Sequence, residues 1–286
     1  MGEMNQETLG IEEISLIIKL FENKGWNIDQ SNVFSLYNRF KATYKFLNIE
    51  ERQLFIELSY MYNIVTLNEY QTYIIDILKT IYLNDKFSFK SEKDVYIMPL
   101  LSESESGQIK SSTLVSYLFN STDLFYDDML AKKSFHIIDN YEMLKKKVVN
   151  INNKKTLILV DDFIGSGRTA VKAIDDILNK GISSQNIIVL GLIVHKMGKE
   201  LIQKKGIPVF CKQIIGKELS SKQDLKDKIE IMQGIERKLN VNEEYNLGYM
   251  RTEALISLIR TPNNTLPLFW YKGKQRKNQA PFPRKK

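Results

Sequence analysis

The segment Thr156-Leu-Ile-Leu-Val-Asp161-Asp162-Phe-Ile-Gly165-Ser166-Gly167-Arg168-Thr169 constrains this chain more than any other. It reads as an apolar strand, an acidic pair, a glycine and hydroxyl loop, and the start of a helix. In open α/β sheets ligands bind beyond the carboxyl ends of the strands, which is where this pattern puts two carboxylates and an anion cradle. Gly165 and Gly167 let the backbone adopt positive φ and approach an anion closely. The next helix would aim its free N–H groups and positive dipole end at the same spot. Ser166 and Thr169 add hydroxyl donors beside Arg168. The loop suits a monophosphate. Asp161 and Asp162 suit sugar hydroxyls, which donate hydrogen bonds, or positive charge developing on a ribose ring.

Other readings of the same residues compete. Gly165-Ser-Gly167-Arg-Thr-Ala170 matches the dinucleotide fingerprint G-x-G-x-x-A. That motif wants an acid about 20 residues on, at the end of the next strand, and Ile188-Val-Leu-Gly-Leu192 has none. No G-x-x-x-x-G-K-[S/T] run exists, which excludes a P-loop. A purely structural role, with the acids capping a turn that the glycines shape, stays open.

Around this segment, apolar runs alternate with helical patterns. Strands are expected at 95–101, 134–138, 156–160, 187–194 and 207–210, with helices at 141–149 and 168–180, the latter closed by Gly181. Continuous apolar runs fit strands covered on both faces. The fold class expected is α/β, a parallel-sheet core preceded by an all-helical N-terminal module. Residues 10–84 supply four helical patterns, and both a simple bundle and a winged-helix-like arrangement fit them. The expected domains are a helical module over 1–88, an α/β domain over 89–270 and a basic tail over 271–286. A charged amphipathic helix is expected over 220–239 and a short strand over 254–259.

The net charge of +7 comes from the tail: residues 271–286 hold seven Lys and Arg and no acid, which leaves 34 bases against 34 acids elsewhere. Such a tail is either a solvated, solubilising segment or a contact to nucleic acid or another polyanion. The single cysteine, Cys211, follows Val209-Phe210 and reads as a small buried residue. It rules out an intramolecular disulfide and a cysteine-rich zinc site. His136 and His195 sit in apolar runs and read as satisfied strand-end histidines. No window approaches about 18 uninterrupted apolar residues, so no membrane span is expected. The polar, acidic start lacks a secretory pattern, and Gln6 stands where a myristoylation signal wants Ser or Thr. A cytoplasmic, reducing location is the expectation.

The segment from Thr156 to Thr169 resembles the signature of type I phosphoribosyltransferases, an apolar strand, two acids and a loop ending in Thr/Ser-Gly-x-Thr, filled here by Ser166-Gly167-Arg168-Thr169. The resemblance implies a site for 5-phosphoribosyl 1-diphosphate with Mg²⁺. Asp161 and Asp162 would contact the ribose hydroxyls, meeting the metal only through the ligand, and Gly165 to Thr169 would hold the 5′-phosphate. It also implies an earlier diphosphate loop, for which Ser106-Gly107-Gln-Ile-Lys110-Ser111-Ser112 is the candidate, with Lys110 countering the leaving diphosphate. Glu103 and Glu105 in that loop call for Mg²⁺ between them and a diphosphate; the alternative is a mobile loop with an incidental lysine. More narrowly, Asp-Asp-Phe-Ile-Gly-Ser-Gly, Trp26-Asn-Ile-Asp-Gln-Ser-Asn32, Thr261-Pro-Asn-Asn-Thr-Leu-Pro267 and Pro281-Phe-Pro-Arg284 resemble divergent phosphoribosyltransferase-like proteins of prokaryotic conflict (anti-phage) systems. Some of those accompany reverse transcriptases in retron-like cassettes. Asn263 and Asn264 would then line the acceptor side of the site, or else form an asparagine-rich turn.

Two functions follow as expectations. One is a phosphoribosyltransferase-like enzyme that binds a phosphoribosyl donor or related nucleotide with Mg²⁺ and serves as a defence effector. The other is a catalytically inactive nucleotide sensor coupled to nucleic acid or a protein partner. A reverse transcriptase or other defence partner, and an oligomer or complex, are implied by the resemblance.

Overall fold

The structure, a computed structural model, describes residues 9–85, 87–220, 225–273 and 279–284. Helices α1 (Ile11–Lys24), α2 (Leu36–Phe46) and α3 (Ile49–Met61) are followed by a short strand β1 (Asn63–Ile64) and helix α4 (Leu67–Tyr82). Next come β2 (Asp94–Pro99), α5 (Ser111–Tyr117), α6 (Thr122–Phe125), β3 (Ser134–Ile137), α7 (Tyr141–Asn152), β4 (Leu157–Ile164) and α8 (Arg168–Asn179). Then β5 (Ile187–His195), α9 (Lys196–Gln203), β6 (Val209–Ile215), α10 (Leu225–Lys238), β7 (Ile256–Ser257) and α11 (Pro267–Trp270) complete the chain.

The chain divides into two compact units, one of residues 1–64 with 217–286, the other of residues 65–216. The second holds a five-stranded sheet in the order β3-β2-β4-β5-β6, parallel throughout. Parallel strands need helical crossovers that cover both faces, which is why β5 is buried at every residue. One face packs Met98, Leu157, Leu159 and Val189 against Leu144, Ala173, Ile174 and Ile177 of α7 and α8. The fourth N-terminal helix lies in this unit: α4 buries Tyr70, Ile74 and Ile77 and packs on β5 and β6. The division therefore falls at Ile64 and Gly216, not at the expected 88 and 270.

The first unit is built on Phe21, Phe40, Phe55, Ile235, Leu239 and Phe269. Asn48 and Glu51 form a reciprocal capping box at the start of α3, which fixes where that helix begins. The C-terminal segment belongs to this core. Ala280 is buried, Phe282 stacks on Tyr62 at 4.4 Å, and the Phe282 amide donates to Phe269 O at 2.8 Å. Residues 279–284 are thus packed structure and not part of a solvated tail. Lys274, Arg276, Lys277, Lys285 and Lys286 of the expected basic tail, and Gly2 of the amino terminus, lie outside the described residues. Among the described residues no helix is long and apolar enough to cross a membrane.

Candidate active site

The acidic pair does not follow its strand; it lies inside it. β4 continues through Asp161 and Asp162 because Phe163 and Ile164 pair with Ile193 and Val194 of β5. Successive strand residues face opposite sides of a sheet, yet the two carboxyl groups stay close enough to interact with each other. Asp162 is 4% exposed, and one of its oxygens accepts a 2.9 Å hydrogen bond from the hydroxyl of Tyr70, itself fully buried on α4. Asp161 is half-buried, and a carboxylate oxygen accepts the Asp162 amide at 2.9 Å. Burial and the neighbouring Asp162 charge push the Asp161 carboxyl well above the usual carboxylate range, against the opposing pull of Lys110. The residue across the strand pair from Asp161 is Gly191, where a Cβ would meet Val194 at 2.6 Å and Ile164 at 3.0 Å.

After β4 the backbone turns through Gly165 and Ser166 into α8. Gly167 is the N-cap, at φ +80°, and no side chain caps the helix. The first amides of α8 are therefore left for solvent or an anion. Arg168 and Thr169 are exposed at this end and Ser166 is half-buried. The turn is held close to the start of α9: a Cβ on Gly167 would lie 2.8 Å from Gly198 Cα, and one on Gly198 would lie 2.4 Å from Gly165 O. Gly167 and Gly198 thus permit one close backbone crossing, and of the two loop glycines expected at positive φ only Gly167 adopts it. The neighbouring helix end differs, because His195 caps α9 by accepting the Met197 amide on Nδ1 at 3.1 Å.

Side-chain contacts tie the two ends of the expected diphosphate loop to the protein. The Lys110 ammonium pairs with Glu105 at 2.5 Å, and Lys180 pairs with Glu103 at 2.7 Å, so both acids are balanced within the protein. Burial raises the Glu105 carboxyl, but its bond to Lys110 outweighs that and holds it below its ordinary value. The Glu103 amide donates to Asp176 at 2.8 Å, and Lys172 donates to Ser104 at 2.9 Å. Lys172, Asp176 and Lys180 recur at i, i+4 and i+8, one stripe of α8 and its C-cap. The exposed Arg168 begins that stripe beside the uncapped turn. Ser106 accepts the Tyr141 amide at 3.5 Å, while Gly107, exposed at φ +83°, has open space around it. Ser111 opens α5, half-buried, and the next hydroxyl, on Ser112, is buried without a hydrogen-bond partner.

Asp161, Lys110 and the turn from Gly165 to Thr169 lie in one unit; Asn263 and Asn264 lie in the other. Asn264 is 7% exposed, and its side-chain amide donates to Tyr249 O and Thr252 Oγ1, both at 3.2 Å. Asn263 O accepts the Tyr249 amide at 2.8 Å. Tyr70, Gly191 and Gly198 were not singled out in the sequence. Gly198 had no local signal, but the charged i, i+4 spacing on α8 was readable. Cys211 is half-buried, and burial pushes its thiol up. His136 is exposed and bonds Asp94 at 2.9 Å. Among the described residues no three His, Cys, Asp or Glu side chains form a metal cage.

A family model described as PRTase-CE matches residues 50–284. Over 109 residues the chain is 28% identical to the xanthine phosphoribosyltransferase of Listeria monocytogenes serotype 4b (strain CLIP80459), covering 35% of this chain and 47% of that protein. Over 64 residues it is 33% identical to uridine kinase-like protein 4 of Arabidopsis thaliana, covering 22% of this chain and 14% of that protein. The chain spans less than half the length of either of these curated relatives. The crystal structure of orotate phosphoribosyltransferase from Aeropyrum pernix aligns with a TM-score of 0.27 and 14% identity, over 56% of this chain and 73% of that one.

Proposed function

The chain belongs to the PRTase-CE family, with a type I phosphoribosyltransferase-like fold, and we propose that it binds 5-phosphoribosyl 1-diphosphate as a phosphoribosyltransferase-like enzyme. The observation that carries this reading is the uncapped start of α8 directly after a strand that bears a half-buried carboxylate. The α8 amides, Ser166 and Thr169 would receive the 5′-phosphate. Asp161 would accept hydrogen bonds from the ribose hydroxyls and stabilise positive charge developing on the ring. Asp162, bonded to Tyr70, would hold the strand and its partner carboxylate in register. Lys110, on the loop before α5, would face the diphosphate.

Mg²⁺ bound by this kind of site needs few protein ligands, because phosphates and water supply most of its oxygens. Asp161 and Asp162 would meet the ion only through the ligand's ribose hydroxyls, an arrangement that asks for no protein cage. The bound ion would offset the negative charge of the diphosphate. The resemblance to proteins of prokaryotic conflict systems supports a role as an effector in anti-phage defence, beside a reverse transcriptase or another partner. A second reading, ligand sensing without turnover, is favoured by the commitment of Asp162 to Tyr70, which leaves one carboxylate to face a ligand.

A diphosphate-release assay with the donor, Mg²⁺ and a panel of nucleobases and nucleic acids tests the enzyme reading. Release by the wild type that Asp161→Asn abolishes is the expected result. Donor binding with no release for any acceptor or for water would replace the enzyme with the sensor.

A further inference from the structure

The proposed site occupies the carboxyl ends of the strands. The opposite end of the same sheet carries an open depression of about 720 Å³, lined by Lys93 and Ser134 at the starts of β2 and β3, with Tyr82, Lys90, Phe125 and Lys132. Its two buried charges are committed within the protein. The Lys133 ammonium donates to the carbonyls of Phe89 and Glu92 and lies over the rings of Phe89 and Tyr82, at 4.5 and 5.4 Å. The Glu92 carboxylate accepts from Ser88 and from the amide and hydroxyl of Thr156. The surface that remains is basic. Lys90, Lys93 and Lys132 are exposed on the lining, where the one exposed acid is Asp128. None of the three has an ion-pair partner among the described residues.

One exposed ring, Phe125, also lines this surface, beside the half-buried Tyr82. Within residues 65–216, the described aromatic side chains that are exposed are Tyr117, Phe125 and Tyr126, at 69%, 64% and 83%. Exposed rings cost free energy in water, and a soluble domain rarely gathers them on one short segment without a use for them. Small-molecule sites enclose most of their ligand, whereas this depression is open. Lysines beside an exposed ring in an open groove are what a single strand of nucleic acid requires: ammonium groups for phosphates and a flat face for an unpaired base.

We propose that this depression holds a segment of single-stranded nucleic acid, with a base stacked on Phe125 and phosphates against Lys90, Lys93 and Lys132. This surface is separate from the turn at Gly165 to Thr169 and needs neither a donor nor turnover.

The test is fluorescence anisotropy of labelled 12-nucleotide DNA and RNA strands with the full chain. The wild type should bind with a marked salt dependence. Joint reversal of Lys90, Lys93 and Lys132 to Glu should weaken binding at least about tenfold and lower the salt slope by about two. Phe125→Ala, at an exposed position that the fold tolerates, should weaken it about five- to tenfold. Comparing the two strands identifies which of them is bound. Absence of binding at low salt overturns the proposal. So does binding unchanged in both variants, or binding lost on neutralising Lys274, Arg276 and Lys277 while surviving the charge reversal. Capture of mononucleotides but not strands would make the depression a nucleotide pocket instead.

Discussion

Two segments, one in each unit, are built from left-handed backbone, and they treat their polar groups in opposite ways. Residues 247–253 place Leu247, Gly248, Met250, Arg251 and Glu253 at positive φ, four of them not glycine. Nearly every amide there has a partner: Leu247 donates to Glu236, Gly248 to Tyr245 O, Tyr249 to Asn263 O, Arg251 to Gly248 O and Glu253 to Leu247 O. The turn at 165–168 has one left-handed residue, Gly167, and leaves the amides that follow it uncapped. Unusual backbone costs on the order of 1–3 kcal/mol per residue, and the surrounding structure must hold it in place. In the first segment that hold comes from the protein's own hydrogen bonds. In the second it comes from the packing of Gly167 on Gly198, which keeps the donors free. The difference separates a structural knot from a candidate ligand site.

The 247–253 segment is most sensitive to substitution at Gly248. At φ +78°, ψ 155° the backbone is in a region essentially closed to other residues, and a Cβ would lie 2.1 Å from Asn264 O. Gly248→Ala should cost about 3 kcal/mol or more, read from the denaturant midpoint. A loss below about 1 kcal/mol would show that the knot is not tight.

Nearly as large is the effect of pH through Glu236, which is 2% exposed and whose carboxyl burial pushes up to about 7. The folded state then holds a proton that the unfolded state releases, so stability falls as pH rises from about 4.5 to about 7 and levels off above that. Over that window the loss is about 3 kcal/mol. Glu236→Gln should match the wild type near pH 5 and exceed it at pH 8 in thermal unfolding. Equal differences at both pH values would contradict the protonation argument.

Much of the architecture was legible in the residues. The strand and helix alternation over 134–194, with helices expected at 141–149 and 168–180 and found at 141–152 and 168–179, follows from continuous apolar runs broken by polar turns. The site turn was legible for the same reason. What was hidden depends on distant partners. The extension of β4 past Val160 comes from pairing with β5, which overrides the poor strand propensity of two aspartates. Tyr70 is 92 residues from Asp162, and nothing in its local sequence marks it as that residue's partner. Helical periodicity assigns α4 a buried face without saying that a sheet covers it. Phe282 sat in a stretch whose charge suggested solvent, yet its ring fills space between Tyr62 and Trp26.

Smaller effects sharpen the account of the acidic pair. Tyr70→Phe removes the bond to a buried carboxylate and should cost about 1–3 kcal/mol of stability. Donor affinity should fall severalfold if Asp162 holds Asp161 in register, and the loss should be larger for Tyr70→Ala. Affinity unchanged in both variants would mean that Asp161 is positioned without its neighbour.

Whether Asp161 and the uncapped start of α8 form a donor site is decided by calorimetric titration with 5-phosphoribosyl 1-diphosphate. The wild type, Asp161→Asn and Asn264→Ala would each be measured with and without Mg²⁺. The account predicts Mg²⁺-dependent binding by the wild type, weakened at least about tenfold in Asp161→Asn and little changed in Asn264→Ala. It also predicts that wild-type affinity falls as pH drops and protonates Asp161. No heat with the wild type, or equal affinity in Asp161→Asn, would contradict it.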